Sequence, residues 1–157
     1  MEKNQFTLSL ALVDALPVLF FGAAAAMLGV KLRSALFIVG AALCLLAGAG
    51  KVVWKLLLAL KGKDVALLGA QLRYVMPLGF LLMLFGGFFA EGETLRALLH
   101  AAVRLPSAAF FALTIVGLVA MIVCAKKFDR YDVRGNWIEQ GINAAAQACA
   151  MIGALLL

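Results

Sequence analysis

Charge is what this chain has least of. Only 14% of its 157 residues are Asp, Glu, Lys or Arg, against roughly a quarter in soluble domains, and that shortage argues against a water-soluble fold. Histidine occurs once, at His100, and Cys44, Cys124 and Cys149 stand singly inside or at the ends of apolar runs. With no C-x-x-C pair and no ligand spacing, neither a metal site nor a redox compartment is indicated, and the cysteines read as small packing residues. G-x-S-x-G, H-E-x-x-H, the P-loop and the dinucleotide fingerprint are all missing. No catalytic residue and no cofactor is therefore expected.

What remains is hydrocarbon. Hydrophobic residues make up 66% of the chain and gather in runs of about 17 or more, the length needed to cross a hydrocarbon core of roughly 30 Å. Five such runs leave almost nothing for a domain outside the bilayer. The expected fold is an all-α integral membrane bundle of about five transmembrane helices, at 5–30, 35–60, 65–90, 107–125 and 137–157, forming one domain. Ala24, Ala25 and Ala26 match the small residues of a signal-peptidase site, but the segment before them is longer than a signal h-region and carries Asp14 and Pro17. It is read as the first span.

Punctuation supports these limits. Gly29, Lys31 and Arg33 end the first run, and Ser34 is placed to cap the second. Lys61 to Asp64 is too short for anything but a hairpin, with Asp64 as N-cap of the third helix and Pro77 as its kink. From Thr94 to Leu105, Arg96, His100 and Arg104 recur every four residues between leucines and a valine, the pattern of an amphipathic helix in the interface plane. Asn136 and Glu139 read as a capping box opening the fifth span, with Trp137 at headgroup level. Glycines such as Gly40, Gly48, Gly50, Gly86 and Gly87 suit close helix contact or an oligomer interface. PVLFFG after Pro17 and PLGFLLMLFGG from Pro77 give weak support for repeated halves of the kind transporters use.

The net charge of +6 is accounted for by basic loops on the cytoplasmic side, so nucleic acid is not an expected partner. Lys3, Lys61, Lys63, Lys126, Lys127, Arg130 and Arg134 fall on one side, and Lys31, Arg33, Arg96 and Arg104 on the other. That bias predicts a cytoplasmic N-terminus and an outward C-terminus, in what is expected to be a bacterial cytoplasmic membrane. The loop from Lys126 to Arg134 is a candidate docking segment for a cytoplasmic partner.

Ionisable residues within a span cost a few kcal/mol each and need a partner, water or a route to the interface. Asp14, Lys51 and Arg73 each lie nine residues from the same boundary, or about 14 Å at a rise of about 1.5 Å per residue. Glu139, Asn143 and Gln147 recur every four residues on the last helix, Gln140 lies beside them, and Lys55 is one turn from Lys51. Converging, Asp14, Lys51, Arg73, Asn143, Gln147, Lys55 and Glu139 would form a cytoplasm-facing pocket of slightly positive balance, suited to a small anionic or zwitterionic solute. The plainer alternative has Asp14 neutralising Arg73, the lysines snorkelling to headgroups and the amides joining helices. The leading expectation is a transporter or channel-type protein that self-associates. A non-catalytic membrane subunit anchoring a partner comes second, and a lipid-modifying enzyme third.

Overall fold

The computed structural model of the protein describes residues 8–61, 63, 65–128 and 133–157. The described residues are helical throughout, without strands, and four stretches are long and apolar enough to cross a membrane: Leu8–Leu32, Ala35–Lys61, Ala66–Phe88 and Ser107–Cys124. Among the described residues there are seven helices: α1 (Leu8–Leu32), α2 (Ala35–Lys61), α3 (Ala66–Ala70), α4 (Leu72–Phe88), α5 (Gly92–Ala102), α6 (Ser107–Lys127) and α7 (Val133–Leu155). At 23 residues α7 also has spanning length. Its polar stripe keeps it out of the apolar four.

The turn between α1 and α2 is two residues long. Arg33 takes a left-handed conformation, φ 51°, which lets its N–H donate to Val30 O at 3.2 Å and the N–H of Ser34 donate to Gly29 O at 3.4 Å. This is the paired closure of a Schellman motif, usually built on glycine. Ser34 then caps α2 as its sequence position predicts, its Oγ accepting from the Phe37 N–H at 3.3 Å. One serine thus closes one helix and opens the next.

Two expected boundaries differ. The third helix is present in two pieces, interrupted at Gln71, whose backbone stays helical at φ −55° and ψ −33°; Pro77 lies within α4, and the expected cap Asp64 is outside the described residues. The capping box at Asn136 and Glu139 is overturned, because α7 begins at Val133 and Asn136 is already inside the helix. Gly135, in that extra turn, is buried. Most of the remaining loop before α7 falls outside the described residues.

In space the long helices run in the order α4, α2, α1, α7, α6. Short links make α1 antiparallel to α2. α2 meets α4 so closely that a Cβ on Gly40 would lie 2.5 Å from Gly79 O and one on Gly79 would lie 2.6 Å from Cys44 Sγ. Backbone thus approaches backbone, which only glycine permits. At the other end of the row, the buried Ser107 Oγ donates to Gly153 O at 3.0 Å, and Thr114 Oγ1 reaches Ala146 O at 3.3 Å, tying α6 antiparallel to α7. α4 and α6 do not pack along one another.

The two ends of the bundle differ in filling. Near the α1–α2 turn, Ala25, Leu32, Phe37 and Ala41 form an apolar core against which Leu95 and Leu98 of α5 pack. The amphipathic helix is therefore present, at 92–102, with Leu95 and Leu98 inward, Leu99 exposed and none of its residues fully buried. Toward the opposite end, polar side chains replace the hydrocarbon.

Candidate functional site

A cavity of about 240 Å³ lies between α1, α2, α4, α6 and α7. Each main helix presents one stripe to it. On α1 the lining residues are Asp14, Pro17, Val18 and Phe21, and on α2 they are Cys44, Gly48, Lys51 and Val52. On α4 they are Leu72, Met76 and Phe80, and on α7 Gln140, Asn143 and Gln147, with Met121 from α6. Spacings of three and four residues put each set on one helical face, so the cavity follows directly from the way five helices turn inward.

Asp14 and Lys55 form the electrostatic centre. The Lys55 ammonium is ion-paired with Asp14 Oδ2, and the two side chains are 3% and 4% exposed, so neither charge is hydrated from bulk water. Burial of this kind is tolerable only because the charges meet, the cost of desolvating each ion being several kcal/mol. Asp14 Oδ1 has no hydrogen-bond donor among the described residues. Lys51 and Glu139 both lie within electrostatic reach of Lys55. Gln140 is buried at 3% exposure, while Lys51, Asn143 and Gln147 are half-buried.

Asp14, Lys51, Asn143 and Gln147, expected to meet at one height, do line one cavity. Lys55 stands behind Asp14 as its ion-pair partner, and Glu139 sits one residue off the α7 stripe, half-buried. Arg73 is not brought in. It is exposed and lines no part of the cavity, although Met76 and Phe80, three and seven residues on, do, so the partner anticipated for Asp14 stays outside. Two groups of lining residues lie outside the expected pocket set. Gln140 was visible in the spacing of three and then four to Asn143 and Gln147, whereas the apolar walls carry no signal that separates them from lipid-facing residues.

In comparisons with family models, with curated proteins and with solved structures, no match to this chain was found.

Proposed function

We propose that the protein is an integral membrane protein of five spans, α1, α2, α3 with α4, α6 and α7, that binds a small polar solute in the cavity between them as a transporter or channel-type protein. One observation carries the reading: five polar side chains from three helices, Asp14, Lys51, Gln140, Asn143 and Gln147, converge on one cavity inside an otherwise apolar bundle. Polar groups at membrane depth are costly and mark solute or ion paths. Amides and a lysine facing a cavity are free to bond a guest, where the same groups facing a neighbouring helix would be consumed by it.

Orientation follows from the loops. The end of the bundle nearest the cavity carries Lys61, Lys63, Lys126 and Lys127, all exposed, which supports a cytoplasmic opening. The lipid-facing sides of α4 and α6 are apolar, with Leu84, Phe88, Ile115 and Val116 all more than 60% exposed. They suit the bilayer or a second copy of the chain.

A thermal-shift screen of the purified full-length protein against inorganic anions, amino acids, nucleotides and lipid headgroups tests the proposal. The expected result is a stabilising compound whose effect disappears in Lys51→Met and persists in Arg73→Ala. If no compound stabilises the wild type, or if the two variants respond alike, the solute reading fails.

A further inference from the structure

We infer that the cavity accepts a net-neutral zwitterion carrying an apolar body, the chemical class of branched-chain and aromatic α-amino acids; this deepens the solute-binding reading and rests on it. The first support is charge. With Arg73 exposed and outside the cavity lining, the formal charges at the site and beside it are Lys51 and Lys55 against Asp14 and Glu139, which cancel. A balanced site gives a guest of net charge no advantage over one whose charges cancel internally.

The second support is the unfinished hydrogen bonding. Asp14 lines the cavity at 4% exposure, and its enclosed Oδ1 lacks a donor among the described residues, so a guest's donor meets it as the carboxylate turns toward the cavity. Lys51 lines the same cavity and offers only donors. A single guest that completes both needs a donor at one point and an acceptor at another. An ammonium and a carboxylate on one carbon supply that pair, and Gln140, Asn143 and Gln147 can bond either group.

The third support is the wall. Pro17, Val18, Phe21, Met76, Phe80 and Met121 surround the polar groups with hydrocarbon, which favours a guest that has hydrocarbon to bury. At about 240 Å³ the space falls below the roughly 300–1,000 Å³ of pockets for drug-sized molecules. That suits a metabolite of amino-acid size and excludes a nucleotide.

The test is calorimetric titration of the purified full-length protein in lipid nanodiscs with four probes: L-leucine, 4-methylpentanoate, 3-methylbutylamine and glycine. The first three share one branched body and differ in which charged groups they carry, while glycine keeps both charges and loses the body. L-leucine should bind, and each of the other three should bind about tenfold or more weakly, the acid and the amine because a buried polar group left unpaired is heavily penalised, and glycine because it has no hydrocarbon to bury. Lys51→Met should remove the preference for L-leucine over the amine, and Met121→Trp, which fills the cavity, should abolish binding of every probe. The outcome depends on ligands more than on Asp14 variants, which put folding at risk.

Equal binding of 4-methylpentanoate or 3-methylbutylamine overturns the zwitterion assignment, and equal binding of glycine overturns the apolar body. If no probe binds while another compound from the thermal-shift screen binds and is blocked by Met121→Trp, this inference falls and the solute-binding reading stands. If nothing in either set binds, both fall.

Discussion

Asp14 of α1 is ion-paired with Lys55 of α2, and both side chains are sealed from solvent. The pair sits where the α1–α2 contact meets the cavity, so it belongs to the packing and to the site at once. Removing one partner leaves a bare buried charge. Asp14→Asn or Lys55→Met should each destabilise the protein by about 3–5 kcal/mol, whereas the two replacements together should recover most of that loss. A denaturation series in detergent measures the cycle, and additive losses would show that the two charges are energetically independent.

Close approach of α2 and α4 depends on missing side chains. A Cβ on Gly86 would collide with the Phe37 backbone, while one on Gly87, the next residue, meets nothing within 4 Å. Gly86→Val should therefore cost about 1–3 kcal/mol by forcing the helices apart, and Gly87→Ala should be neutral or slightly stabilising. Thermal denaturation of the two variants side by side checks the assignment, and equal midpoints would contradict it.

At the α1–α2 turn, Arg33 holds a left-handed backbone at φ 51° while exposed to solvent. Arg33→Gly should raise stability by about 1 kcal/mol, since a Cβ there is disfavoured by about that amount. Ser34→Ala should lower stability by about the same amount through loss of its bond to the Phe37 N–H. Opposite signs from adjacent residues make the pair a sharp check by chemical denaturation.

The amide stripe of α7 is expected to separate binding from stability. Asn143→Leu should change folding free energy by under about 1 kcal/mol, because amides at membrane depth average about 0.6 kcal/mol. It should also weaken the solute found by thermal shift by about tenfold through loss of hydrogen bonds made only to the guest. Equal loss of binding and folding would instead make Asn143 structural glue between helices.

Single cysteines in a background lacking Cys44, Cys124 and Cys149 report the sidedness. With five spans, Lys63→Cys should react with an impermeant maleimide only after permeabilisation, and Arg33→Cys and Leu157→Cys should react in intact cells. A Leu157→Cys label that appears only on permeabilisation means that α7 does not cross.

Much of the architecture could be read from the residues because hydropathy marks depth and glycine, serine and proline mark ends. Ser34 and the α5 amphipathic pattern are examples, and the four apolar stretches fall close to where their runs predict. Depth alone, however, does not say which way a side chain points. Arg73 is expected at the height of Asp14, yet it is exposed and outside the cavity, while Leu72, Met76 and Phe80 of the same helix line it. Lys55 was one turn from Lys51 by count, but its pairing with Asp14 depends on how α1 and α2 are rotated against each other. The start of α7 was misjudged because Asn136 and Glu139 satisfy a capping spacing equally well when they lie inside a helix.

The contact between α2 and α4 has a mechanical corollary. Where two backbones touch through glycine there is no cushion of side chains to slide or reshuffle, so the pair should behave as one stiff jaw. A gate of the kind the proposed transport needs would then hinge away from this contact, and α4 and α6, which do not pack along one another, are free to change their spacing. Distances between spin labels should stay constant from α2 to α4 when a guest enters and change from α4 to α6.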